Sequence, residues 1–319
     1  MTVSRRGFLL GAAAAPWAAG APARIPREAV IPAALTPFDG ELRIDRRQFR
    51  RQIEWMASIR GISGIMVNGA AGQDRALSRE ERRMLLGEAL AAARGRVAIL
   101  AALRETPAIP LAALAGDAVA EKADAVVVMP PPDPGGLQWE GARERFARVI
   151  DPGPPPVALY HTSYSTEVLA RLAALEPVFA VKEGSNDPAV FERNLRAIRA
   201  LGRGVAVWST NSRWLLADLA TGADGILSGM GSVVADWHVD LAEAVRRSDL
   251  ASARGVSDRL FPLTQVFYGT GGDAHSRMKY ALKRLGRWES DAVRPPLRRP
   301  DAAECARIDE ALRAGGLLG

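Results

Sequence analysis

Eight short apolar runs recur along this chain, at residues 30–35, 64–67, 97–101, 125–129, 157–160, 178–181, 205–208 and 225–227, with helical patterns between them. Several are continuous rather than alternating, as expected of strands covered on both faces. Helix starts fall in the gaps. Asp45 can cap a helix whose Phe49, Ile53, Met56 and Ile59 share one face. Ser78 and Glu81 have capping-box spacing ahead of Leu85 and Leu86. Asp187 followed by Pro188 opens a stripe continued by Phe191, Leu195 and Ile198. Eight strands alternating with helices predict an α/β fold, a (β/α)8 TIM barrel; a doubly wound open sheet is the structural alternative. Beyond Ser228 only helical patterns remain, over 239–247, 249–261, 276–285 and 301–314. The first is placed to complete the barrel. The expected organisation is therefore a barrel over 24–240 and a C-terminal helical extension over 241–319 packed on it.

Residues 1–23 read differently. Ser4, Arg5, Arg6, Gly7, Phe8 and Leu9 form a twin-arginine pattern, a small-residue apolar stretch follows over 11–20, and Ala21, Pro22 and Ala23 offer a cleavage site. The stretch is too short for a stable membrane anchor. The expectation is a signal peptide and export, to the periplasm or beyond, by the twin-arginine route. The formal charge of +6 becomes +4 without Arg5 and Arg6, and the remaining basic residues are scattered along helices. No dense basic tract with interleaved aromatics is present, which argues against a nucleic-acid partner. A single cysteine, Cys305, excludes an internal disulfide. The three histidines, His161, His238 and His275, lack metal-ligand spacing, so a metal site is not expected.

Chemistry in a barrel gathers at the C-terminal ends of its strands. There this chain places Lys182 after the apolar run 178–181, Tyr160 at the end of the fifth run, the loop 69–72 after the second, and Thr36 after the first. A strand-end lysine in an apolar pocket can lose its proton and attack a ketone.

These residues resemble, in their order, the dihydrodipicolinate synthase / N-acetylneuraminate lyase family, over about 31–297. The resemblance is carried by Thr36, Pro37 and Phe38; the loop 69–72; Pro130 and Pro131; Tyr160; the run 181–185; the run 222–228; residues 279–286; and the run 293–297. It implies a Schiff-base enzyme acting on a 2-oxo acid such as pyruvate or a sugar-derived relative. Lys182 would form the imine and Tyr160 would shuttle protons. Substrate-binding positions would be Thr36, Gly69, Ala70, Ala71 and Ile226, with backbone N–H groups of the loop taking the carboxylate. No organic cofactor is implied, because the imine is itself the electron sink. A homo-oligomer, dimer or tetramer, is the family expectation.

The departures are equally specific. The family loop usually carries hydroxyl side chains and a following Glu, where this chain has Ala70, Ala71 and Gln73. The inter-subunit tyrosine of many synthases is replaced by Pro131, Pro132 and Asp133. The segment after Tyr160 lacks the arginine that synthases set against a second carboxylate. Synthesis of dihydrodipicolinate itself is therefore not expected. Two readings remain: a lyase, aldolase or dehydratase with altered proton handling, with Ser185, Ser209 or Thr210 as replacements for the missing hydroxyl, or an exported 2-oxo-acid-binding protein without turnover. Trp139, Trp208, Trp237 and Phe267 are expected in the core.

Overall fold

The computed structural model describes residues 24–150, 153, 155–269 and 274–319; the twin-arginine segment expected over 1–23 lies outside them. Eight parallel strands alternate with eight helices. The strands are β1 (Val30–Pro32), β2 (Gly64–Val67), β3 (Ala98–Leu103), β4 (Ala125–Val128), β5 (Val157–His161), β6 (Val178–Glu183), β7 (Ala206–Ser209) and β8 (Gly225–Ser228). The helices are α1 (Arg46–Ser58), α2 (Arg79–Ala93), α3 (Leu111–Ala120), α4 (Trp139–Ile150), α5 (Thr166–Ala173), α6 (Pro188–Ala200), α7 (Leu215–Thr221) and α8 (Gly231–Arg246). Strand order runs β1-β8-β7-β6-β5-β4-β3-β2. Parallel bridges Val30–Ile62 and Ala33–Met66 then join β1 to β2, so the sheet closes and the open-sheet alternative is excluded. Every strand residue is buried except Tyr160. Two-sided burial is why the runs are apolar throughout.

The helix starts form as the sequence dictates. The Asp45 carboxylate accepts from the Gln48 N–H, Ser78 and Glu81 close a reciprocal capping box, and Asp187 accepts from the N–H groups of Ala189 and Val190. α8 starts earlier than the periodicity suggested, and it runs on through residue 240 to Arg246. Its first two residues, Gly231 and Ser232, are not apolar. Beyond it, α9 (Leu250–Tyr268), α10 (Ala274–Arg284) and α11 (Ala302–Ala314) form the C-terminal helical extension. Trp208, Trp237 and Phe267 are buried in the core. Trp139 is only partly buried, with the Arg171 guanidinium 4.1 Å above its ring. No described helix is long and apolar enough to cross a membrane.

One device recurs at two strand starts. Asp124 donates its N–H to the Ile99 carbonyl and accepts from the Ile99 N–H at 2.8 Å, tying the start of β4 to β3. Asp224 does the same for β8 and β7, accepting from the Val207 N–H at 2.7 Å, and also holds Arg27 at 2.7 Å and Arg199 at 2.8 Å. Gly222, with φ of 120°, ends α7 just before it. Gly225 then passes so close to β1 that an added Cβ would lie 2.0 Å from the Ala29 carbonyl oxygen. The glycines around Asp224 thus serve barrel closure. Gly225→Ala must prise β8 from β1, and we expect a loss of about 3 kcal/mol or more in urea unfolding; a loss under ~1 kcal/mol would contradict this account of the seam.

Candidate active site

At the C-terminal end of the strands a cavity of about 340 Å³ opens above β6. Lys182, one residue before the end of β6, projects into it, and its amine lies 4.1 Å from the centre of the Tyr160 ring. The two residues are register partners across β5 and β6, so neighbouring strands deliver the amine and the phenol side by side. Lys182 is 5% exposed and has no carboxylate partner among the described residues. Desolvation lowers its pKa to about 7, with the positive charge of Arg104 acting in the same direction and Asp74 opposing. Arg104 is itself ion-paired to Asp74. Burial raises the Tyr160 phenol to about 12, aided by nearby Tyr268. At neutral pH the site therefore holds a partly neutral amine beside a fully protonated phenol. Gly184 makes this approach possible: an added Cβ would lie 2.8 Å from both Tyr160 Cε2 and Thr210 Cγ2.

Behind Lys182 the strand ends carry a buried polar network. Asn211 on the β7–α7 loop donates through Nδ2 to Glu183 at 2.9 Å and to Asp218 at 2.8 Å. Its carbonyl oxygen accepts from the Asn186 N–H at 3.0 Å. Ser209 donates to Asp218 at 2.6 Å, and Asn194 donates to Glu183 at 3.1 Å. His161 Nε2 lies 3.0 Å from Asn194 Nδ2. Burial raises the Asp218 pKa to about 6, against the hydrogen bonds from Ser209 and Asn211. Burial pushes His161 the other way, below its ordinary value, with Glu183 opposing. These groups lock the loops after β5, β6 and β7 to one another.

The expected site residues do not all converge. Lys182, Tyr160, Ala70 and Ala71 line the cavity. Ala70 and Ala71 open a short 3-10 turn, Ala70–Gly72, whose leading N–H groups have no partner within the turn itself. Gly69 lies behind that turn, accepting from the N–H groups of Gly72 and Asp74. Thr36 is buried against the same turn, its hydroxyl 3.0 Å from where a Gly72 Cβ would stand. Ile226 is in register with Ser209, whose hydroxyl reaches α7 outside the barrel, so its side chain belongs to the outer layer. None of these three lines the cavity. Gln73, where the family pattern has Glu, accepts from buried Lys279 at 2.6 Å and donates to the Arg294 carbonyl, anchoring the turn to the C-terminal region. Of the proposed replacement hydroxyls only Thr210 reaches the cavity, since Ser209 is engaged by Asp218 and Ser185 lies away from the wall. Sequence reasoning missed Asn186, Ser212, Arg213, Tyr268 and His275, all in the wall. Tyr268 and His275 come from α9 and α10, so the helical extension completes the cavity.

A closed eight-stranded barrel thus carries a desolvated lysine near the end of its sixth strand, beside a tyrosine on its fifth. The chain matches the Dihydrodipicolinate synthetase family over residues 27–314, and it belongs to that family. It is 28% identical over 295 residues to a 4-hydroxy-tetrahydrodipicolinate synthase of Sphingopyxis alaskensis, covering 90% of this chain and 98% of that one. Among solved structures it superposes on YagE of E. coli K12, a prophage protein of the dihydrodipicolinic acid synthase family solved with pyruvate. The TM-score is 0.84 at 23% identity, covering 91% and 98% of the two chains. A monomeric dihydrodipicolinate synthase variant gives 0.83 at 22% identity, over 91% and 97%. The likeness to the two structures establishes the fold, and membership of this synthase family makes the protein a lyase-type enzyme.

Burial of Lys182 has a measurable cost. Its amine keeps its proton to the ordinary value of 10.5 when unfolded and to about 7 when folded. Between those values the unfolded chain binds more protons, so stability rises with pH; below 7 the full penalty applies. Lys182→Met keeps the volume and removes the charge. It should raise Tm measurably at pH 6, and by less at pH 9. An unchanged or lowered Tm at pH 6 would show that the amine is not desolvated.

Proposed function

We propose that this protein is a Schiff-base lyase, aldolase or dehydratase acting on a 2-oxo acid of the pyruvate type. The observation that carries the reading is the Lys182 amine, held at about 7 by burial and set 4.1 Å from the Tyr160 ring in a cavity whose described lining residues include no acid. The neutral amine adds to the ketone carbon, Tyr160 supplies the proton with which the oxygen leaves as water, and the protonated imine remains. That imine then accepts the electron pair released when a C–C bond breaks or a C3 proton departs. The phenolate returns to phenol by taking up a proton in a later step. N–H groups of Ala70 and Ala71 suit the substrate carboxylate, and the related YagE was solved in complex with pyruvate. Thr210 and Tyr268 bring hydroxyls to the cavity that the alanine-bearing turn does not. They support turnover over the alternative of a non-catalytic 2-oxo-acid-binding protein.

Borohydride added with pyruvate should trap a reduced adduct on Lys182, read by peptide mass spectrometry, and Lys182→Met should form none. Adduct formation should speed up as pH rises through about 7, because the neutral amine is the attacking form. Tyr160→Phe should slow it by roughly 10²-fold. Binding of pyruvate without any adduct would favour the non-catalytic reading.

We further infer export by the twin-arginine route and assembly into a dimer or tetramer. Arg5, Arg6 and Phe8 support the first. Exposed Leu250 and Phe261, bordering one apolar groove, support the second. The protein recovered from the periplasm should begin near Arg24 and sediment as an oligomer; an intact N-terminus or a monomer would refute the respective inference.

A further inference from the structure

The charged side chains among the cavity's described lining residues are of one sign. Besides Lys182 the wall contains Arg213, and none of its described residues is acidic. Arg213 is exposed and has no ion pair or hydrogen bond among the described residues. Most arginines near the strand ends are engaged: Arg104 by Asp74, Arg82 by the carbonyls of Asp74 and Arg104, and Arg145 by Glu105.

The backbone that carries Arg213 is firmly held. On one side Asn211 is fixed by Glu183, Asp218 and the Asn186 N–H. On the other, the Ser212 hydroxyl lies 2.9 Å from that of Ser228, and the Trp214 N–H donates to the Asn211 carbonyl at 2.7 Å. The Thr210 N–H donates to the Glu183 carbonyl at 2.9 Å, so the loop is bound to the end of Lys182's own strand. A well-anchored loop thus holds out a guanidinium without a counter-ion among the described residues, just after the strand next to that of Lys182. Five directional donors with no acceptor suit a carboxylate.

The size of the cavity agrees. Pyruvate has six non-hydrogen atoms, which at no more than the ~30 Å³ share of a water molecule each fill under roughly 180 Å³. The cavity holds about 340 Å³. Ala33, Met66, Ala70 and Ala71 make one part of the wall apolar, while Arg213, Asn186 and Thr210 make another polar.

We propose that Arg213 is a specificity-determining residue for a second carboxylate, so that the preferred substrate is a 2-oxo diacid rather than pyruvate itself. The inference rests on the imine reading of Lys182 and names the substrate class of that site. The arginine comes from the β7–α7 loop, not from the segment after Tyr160 where synthases carry theirs.

The test compares 2-oxoglutarate with 2-oxovalerate, which has the same chain length and no second carboxylate, and with pyruvate. The readout is the concentration that half-saturates borohydride trapping on Lys182. In the wild type, 2-oxoglutarate should be favoured over 2-oxovalerate by about tenfold or more. Arg213→Met should abolish that preference, affecting 2-oxoglutarate far more than pyruvate, and Arg213→Lys should retain part of it. Equal half-saturation in the wild type, or a preference that survives Arg213→Met, overturns the proposal. Calorimetry with glutarate, which has no ketone, separates the two ideas. Binding at least tenfold weaker in Arg213→Met, with no adduct from any 2-oxo acid, keeps the carboxylate site and removes the imine. Glutarate binding that is equal in both proteins, or absent from both, overturns the carboxylate site whatever the trapping shows.

Discussion

The site depends on taking one amine out of water. A lysine at a strand end ordinarily reaches solvent, and its proton is then held too tightly for nucleophilic attack at neutral pH. Here β6 and its neighbours enclose Lys182, and the positive charge of Arg104 adds to the effect of burial. Asp74 could have cancelled the effect by pairing with the lysine, but it pairs with Arg104 instead. The same enclosure holds Tyr160 protonated. One physical cause, burial away from water, thus sets the protonation of both groups.

The rest of the molecule keeps that environment in place. Glu183, the residue after Lys182, is buried, and its oxygens are occupied by Asn194 and Asn211. Those amides belong to α6 and the β7–α7 loop, so the strand end is clamped from outside the barrel. Asp224 and Gly225 close the seam between β7, β8 and β1 by hydrogen bonding and close backbone approach. Gln73 carries the support outward, joining the turn at Ala70 and Ala71 to Lys279 of the helical extension. Replacement of the usual Glu by Gln leaves this position with both an acceptor for Lys279 and a donor for the Arg294 carbonyl.

The sequence is most legible where burial is two-sided. All eight strands announce themselves as apolar runs because each is covered by helices outside and by the barrel interior within. Lys182 and Tyr160 are legible for the same reason: each ends such a run. The face that a side chain occupies is less legible, because it depends on register. Ile226 looks like a site position until its pairing with Ser209 assigns it to the outer layer. Thr36 and Gly69 lie near the right turn but behind it. Arg213, Tyr268 and His275 come from a loop and from helices outside the eight-strand pattern, and no local periodicity marks them. The start of α8 was hidden because Gly229 and Gly231 look like loop and carry no apolar stripe.

The titration midpoint of Lys182 itself tests the central claim most directly. Competitive amine labelling of the folded protein, followed across pH by peptide mass spectrometry, reads it without any substrate. A midpoint near 7 is expected for Lys182. A midpoint for Lys182 near 10.5 would mean that the amine is solvated and charged, and the desolvated nucleophile on which the functional reading rests would not exist.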